Sequence, residues 1–201
     1  MAQRGVARLL GGGPTPLDSG SRALINALEA RDPDTRRHSA RVARFALAIA
    51  RELGLDPSSV EAVRLGAELH DIGKIGVPDA LLRRRGPLTP AEHRRVLEHT
   101  VIGEQILRPV MSDRPGVLAV VRSHHEWVDG SGYPDGLRGE RIPLEARIVA
   151  VADSLDAMTS ARPYRPPLPL SEAIRQLTGL SGVQFDPACV RALLSVVFRS
   201  V

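Results

Sequence analysis

Apolar positions recur at three- and four-residue spacing along most of this chain, which predicts a succession of amphipathic helices rather than strands. A short one is expected over Ser21 to Ala30. The next runs from about Thr35 to Leu53, with Val42, Phe45, Ile49 and Leu53 on one stripe and His38 one turn before Val42. Gly54 ends it. Asp56-Pro57 then reads as an N-cap with proline in the first helical position. The helix it opens carries Val60, Val63 and Ala67 toward His70, and Gly73 and Gly76 break it. Thr89-Pro90-Ala91-Glu92 has the form of a capping box, and its helix is predicted to reach about Leu107, with Val96, His99, Ile102 and Ile106 on one face. Further helices are predicted over Gly116 to His125, Pro143 to Thr159, Ser171 to Leu180 and Asp186 to Phe198.

Two segments break the pattern. Residues 1–20 crowd glycine and proline at positions 11 to 16 and read as a flexible lead-in, which leaves residues 21–201 as one domain. Residues 126–142 form a long glycine-rich irregular segment containing Gly132-Tyr133-Pro134. Loops of that length in a compact domain are usually functional or disordered, and this one abuts a histidine pair.

Composition narrows the classes. Hydrophobic residues make up 43% of the chain and aromatics only 3%, so the core is expected to be aliphatic. So few aromatics leave no stacking platform for a nucleic-acid polymer. The net charge is +4, carried almost wholly by arginine. That fits a phosphate-bearing ligand, but for the surface arginines as a group the favoured reading is a GC-rich genome that spells its cations as arginine. Lys74 is the only lysine. A single cysteine, Cys189, excludes intrachain disulfides and thiolate-rich zinc sites, and is predicted to be buried. No apolar run approaches the ~20 residues of a membrane span. Arg4 and Arg8 are followed by too short an apolar stretch for a signal peptide, so the expected compartment is the cytoplasm.

The candidate chemistry lies in His38, His70, Asp71, His99, His124, His125 and Asp153, a set that takes five of the six histidines and leaves out His93. Each stands on, or at the end of, the apolar face of a different predicted helix. Buried unpaired polar groups cost several kcal/mol, on the order of 2 to 7 each, and a metal ion relieves that cost for all of them at once. Five nitrogens and two carboxylates without thiolate favour six-coordinate iron or manganese, with zinc, nickel and cobalt left open. Seven donors are too many for one tetrahedral ion. They suit two, with Asp71 as a natural bridge, and such pairs hydrolyse phosphate esters.

The sequence resembles the HD-GYP family of bacterial cyclic di-GMP phosphodiesterases, a branch of the HD phosphohydrolase superfamily. The resemblance rests on Thr-Arg-Arg-His-Ser-Ala-Arg-Val (35–42), Leu-His-Asp-Ile-Gly-Lys-Ile-Gly-Val-Pro-Asp (69–79) and His-His-Glu-Trp-Val-Asp-Gly-Ser-Gly-Tyr-Pro (124–134). Ile142-Pro143, Ala152-Asp153, residues 156–165 and Gln184-Phe-Asp-Pro187 add to it, so that it spans roughly residues 21 to 198. It implies an all-α HD-domain bundle of about seven to nine helices with a long irregular Gly-Tyr-Pro loop. It implies that His38, His70, Asp71 and Asp153 hold one cation, and that Asp71, His99, His124 and His125 hold the other. Lys74 would lie beside the scissile phosphate, Arg162 and Arg165 would grip the substrate's phosphates and guanine, and Tyr133 would rim the site. The implied reaction opens cyclic di-GMP to pGpG, with onward cleavage to GMP and action on other cyclic dinucleotides left open. A different class of reading is a signalling module whose Gly-Tyr-Pro loop docks a diguanylate cyclase or sensor domain. Homodimer formation is left open.

Two positions depart from the family pattern. Asp34 stands where some members use a glutamate to hold a third ion, which leaves two against three metals open, with two favoured. Arg83-Arg84-Arg85-Gly86 replaces a more usual lysine-proline-glycine turn.

Overall fold

The computed structural model describes residues 19–31, 33–82, 84, 86–161 and 166–199. Among these, regular structure is helical, and a lone bridge between Ser181 and Phe185 is the nearest approach to a strand. The α-helices are α1 (Ser19–Arg31), α2 (Pro33–Glu52), α3 (Pro57–Leu69), α4 (Asp79–Leu82), α5 (Pro90–Leu97), α6 (His99–Leu107), α7 (Pro115–Ser123), α8 (Leu144–Thr159), α9 (Leu170–Gly179) and α10 (Pro187–Arg199). Short 3-10 turns cover Ile72–Gly76 and Gly139–Arg141.

The all-α expectation holds, and two details differ from it. The predicted helix from Thr89 to Leu107 is split at Glu98, and the one-turn helix α4 was not foreseen. The chain is helical from Ser19, so the first helix takes in the last two residues of the expected lead-in; residues 1–18 lie outside the described residues.

Local signals set the helix starts. Asp56 caps α3 by accepting from the backbone N–H groups of Ser58 and Ser59, at 2.9 and 3.1 Å. Thr89 and Glu92 form the full capping box at the head of α5.

Helix α8 is buried on most of its circumference, through Ala146, Ile148, Val149, Val151, Ala152 and Leu155. A helix that is apolar nearly all round belongs at the centre. Around it, Val42, Ala46 and Ile49 of α2, Ala173 and Leu177 of α9, and Cys189 and Leu193 of α10 close one aliphatic core. A second, smaller cluster joins Leu65 and Leu69 of α3, Ile72, Leu107, Met111 and the α7 residues Val117 and Val121. Phe185 is the lone aromatic in either buried set, as the composition led one to expect. No helix among the described residues is long and apolar enough to cross a membrane.

Candidate metal centre

The two clusters leave a polar seam where α2, α3, α6, α7 and α8 meet, and the predicted donors face it. His38 comes from α2 and Asp153 from α8. His70 is the C-cap of α3, and Asp71 follows it. His99 is the first residue of α6, and His124 is the C-cap of α7, with His125 next. Ring centroids are 5.3 Å apart for His38 and His70, 5.0 Å for His70 and His124, 5.6 Å for His99 and His124, and 4.1 Å for His124 and His125. Donor atoms of His38, His70 and Asp71 lie within 4.8 Å of one another, as do those of His99, His124 and His125. The Asp71 carboxylate stands between the groups, 3.4 Å from His70 Nε2 and 3.6 Å from His99 Nε2. Asp153 Oδ1 is 3.2 Å from His38 Nε2. His93, excluded from the set on sequence, is exposed on α5.

Three of the imidazoles are oriented by the same device. His70 Nδ1 is 2.8 Å from the carbonyl of Ala67, His99 Nδ1 is 2.8 Å from that of Val96, and His124 Nδ1 is 3.0 Å from that of Val121. A carbonyl oxygen only accepts, so each Nδ1 carries a hydrogen, and in the neutral ring that leaves the lone pair on Nε2. The acceptor is three residues back each time, in a last helical turn whose carbonyls have no i+4 partner within that helix. Ending a helix on histidine thus caps the helix and aims a metal-binding nitrogen beyond it.

Those aimed nitrogens are the fit test for a cation. His99 Nε2 and His124 Nε2 are buried and have no hydrogen-bond partner. Leaving a buried polar atom unsatisfied costs about 1 to 3 kcal/mol. Two such atoms beside buried carboxylates fit a divalent cation, and the negative poles of α3 and α7 at the same place favour positive charge.

Protonation suits the same occupant. Burial pushes His99 down and His124 far down, and takes His125 to about 4, so these rings stay neutral at pH 7. Burial alone would raise Asp71, yet the charges of Lys74 and His70 outweigh it and hold the carboxyl well below the usual range. Asp153 is likewise held low against its burial by the His38 hydrogen bond and the charge of His70. Metal ligation needs neutral imidazole and ionised carboxylate, as found here at His99, His124 and His125 and at Asp71 and Asp153. His38 is the exception: burial lowers it, but its hydrogen bonds to the carboxylates of Asp153 and Asp156 prevail and raise it to about 9.

Lys74 lies in the 3-10 turn, with Nζ 2.5 Å from Asp71 Oδ2 and the side chain one-third exposed. Tyr133 stacks on His125, centroids 4.9 Å apart and planes at 23°. The loop that carries it is held by Glu126, whose buried carboxylate accepts from the backbone N–H of Asp135 at 2.7 Å and of Leu137 at 3.0 Å. Gly132 has no room for a side chain, since a Cβ there would meet Trp127 N at 2.3 Å. Arg162 and Arg165, assigned above to substrate, lie outside the described residues, as does the Asp34 side chain.

Asp156 was quoted above within a motif and given no role. It is buried one turn beyond Asp153 and accepts from His38 Nδ1 at 2.7 Å. Its partner stands 118 residues away in sequence, so only the i, i+3 pairing with Asp153 on α8 hinted at it.

The family model described as HD domain matches residues 22–189. A cyclic di-GMP phosphodiesterase of Thermotoga maritima is 46% identical over 86% of this chain and 48% of its own length. The 3'3'-cGAMP-specific phosphodiesterase 3 of Vibrio cholerae is 39% identical over 85% of this chain and 37% of its own. The chain therefore spans less than half the length of either relative. Among solved structures, an HDG"Y"P protein from Bdellovibrio bacteriovorus superposes with a TM-score of 0.66 at 22% identity, over 98% of this chain and 61% of that one.

Proposed function

This chain belongs to the HD domain family, in its HD-GYP branch, and from that premise we propose that it is a cation-dependent phosphodiesterase opening cyclic di-GMP to pGpG. The observation that carries the reading is the pair of buried, unpartnered nitrogens, His99 Nε2 and His124 Nε2, set among ionised carboxylates. His38, His70, Asp71 and Asp153 would hold one divalent cation. Asp71, His99, His124 and His125 would hold a second, with iron or manganese suiting the donors best. A third at Asp34 is not needed by this scheme. Bound there, the pair supplies Lewis acidity toward the phosphoryl oxygens and water of lowered pKa.

The chain's own residues do the rest. The Nδ1–H bonds to helix-end carbonyls keep three Nε2 lone pairs aimed inward without reorganisation. Asp71, held ionised, faces both donor groups at once. Lys74, partly open to solvent, offers its ammonium to a phosphate oxygen and to charge growing on the leaving oxygen. Burial, then the charges of Asp71 and Asp153, push the Tyr133 phenol up, so it stays a hydrogen-bond donor at the rim. Arg162 and Arg165 are assigned to the phosphates and guanine. We place this activity in residues 21–201, with residues 1–20 as lead-in, and in the cytoplasm.

Protein reconstituted anaerobically with Mn²⁺ or Fe²⁺ should convert cyclic di-GMP to pGpG, read by chromatography, and Asp71→Ala should abolish turnover. Absence of turnover with both metals overturns the enzyme reading in favour of a module that binds a cyclase or sensor domain through the Gly132-Tyr133-Pro134 loop. The 39% identity to a 3'3'-cGAMP-specific enzyme supports one competing substrate. A kcat/KM higher for 3'3'-cGAMP than for cyclic di-GMP would move the assignment to it.

A further inference from the structure

His38 differs from the other oriented histidines in where it stands. His70, His99 and His124 sit at helix boundaries, where carbonyls are free to accept from Nδ1. His38 lies inside α2, where backbone carbonyls are already taken by the i to i−4 ladder. Its Nδ1 turns instead to the side chain of Asp156, at 2.7 Å. Asp156 is itself fixed by Arg41, with Nε at 2.5 Å and Nη2 at 3.0 Å, and by the hydroxyl of Ser160 at 3.1 Å. Asp153 and Asp156, one turn apart on α8, thus face the two nitrogens of one ring, Asp153 on the Nε2 side and Asp156 on the Nδ1 side.

We propose that Asp156 is a positioning residue that acts through His38 and makes the two cation positions unequal. The inference rests on the two-cation reading above. One position has an anion behind one of its rings, the Asp156 carboxylate behind His38, itself held by Arg41. The other is backed by neutral carbonyls behind His99 and His124. An acceptor-only carboxylate fixes the hydrogen on His38 Nδ1, leaves Nε2 for the cation and strengthens that nitrogen as a donor. Asp156 touches no donor of the second group in the hydrogen bonds and ion pairs seen, so its removal is felt at the first position alone.

The test is a titration of metal-free protein with Mn²⁺ alone, with bound ions counted by electron paramagnetic resonance. Wild type is expected to bind two ions. Asp156→Ala should keep one at wild-type strength and bind the other about 10- to 100-fold more weakly, the usual loss for such outer partners. Asp156→Asn, which keeps an oxygen acceptor for Nδ1 without the charge, should fall between them, and it carries the test if the alanine variant does not fold. The double variant His38→Ala/Asp156→Ala should lose no more than His38→Ala, because both act through one ring. Two ions bound at unchanged strength in both single variants, equal weakening of both ions, or additive losses in the double variant would each overturn this inference. Wild type that binds fewer than two ions overturns the two-cation reading, and this inference with it.

Discussion

Gly73 packs directly against the backbone of His99: a Cβ at residue 73 would lie 1.8 Å from the His99 carbonyl oxygen and 2.5 Å from Gly103 N. The turn that carries Asp71 and Lys74 is therefore set by contact with the start of α6. Gly73→Ala cannot be absorbed by a side-chain movement, because the obstructing atoms are main chain. It should lower stability by roughly 1 to 3 kcal/mol or more, the range for overpacking, and separate Asp71 from His99. Urea unfolding and Mn²⁺ affinity measured on one preparation should both fall. A variant with wild-type values for both would refute the coupling.

His124 offers a test in which the sign depends on the cation. In metal-free protein its Nε2 is a buried atom without a partner. Replacing His124 by an apolar group of similar size removes that penalty, about 1 to 3 kcal/mol, against the loss of the Nδ1 bond to Val121, about 0.5 to 1.5 kcal/mol. His124→Leu should therefore melt at or above the wild-type temperature in excess chelator. With Mn²⁺ added the order should reverse, since a ligand that binds only the folded state stabilises by mass action and the variant has lost a donor. Thermal melts with and without Mn²⁺ decide it.

The Tyr133 loop can be perturbed without changing a donor side chain. Gly132→Ala places a methyl against Trp127 N and the Glu126 Cα, and the methyl also meets the His125 main-chain oxygen. The loop must shift, and the Tyr133 ring must leave its stack on His125. KM for cyclic di-GMP should rise severalfold or more, while bound Mn²⁺ per chain stays unchanged. Steady-state kinetics beside metal analysis separates the two.

Acid stability should report Asp186. Burial opposes its ionisation, but Arg147 and the backbone N–H groups of Ala188 and Cys189 outweigh that and hold it below the ordinary carboxylate value. A group whose folded pKa is lowered contributes stability that is present above its unfolded pKa, about 3.9, and is lost as pH falls through the folded value. Urea midpoints from pH 7 down to 3 should fall less steeply for Asp186→Asn below about pH 4, from a lower value at neutral pH. Parallel curves would show that Asp186 does not contribute to the acid slope.

How much of this was legible in the sequence depends on the range of the interaction. Apolar spacing marked nearly every helix, and caps such as Asp56 and Thr89 fixed two of the starts. The seven donors were singled out because each sat at a helix-face position, and the fold brings them to one seam. The split at Glu98 escaped notice because Val96, His99 and Ile102 keep helical spacing across it. The contacts that His70, His99 and His124 make with the last turn of the helix before them were within reach, since each carbonyl is three residues away. Asp156 and Glu126 were not, because their meaning lies in His38 and in the loop backbone, placed by tertiary folding.

Two helices, α3 and α7, finish on histidines whose ring centroids are 5.0 Å apart, so their negative ends meet at one spot. Bringing like poles together works against closure of the bundle until positive charge arrives between them. Metal supply would then govern how long each copy of the protein survives proteolysis as well as how fast it turns over, so scarcity of the ion would thin the enzyme's numbers before any substrate is met.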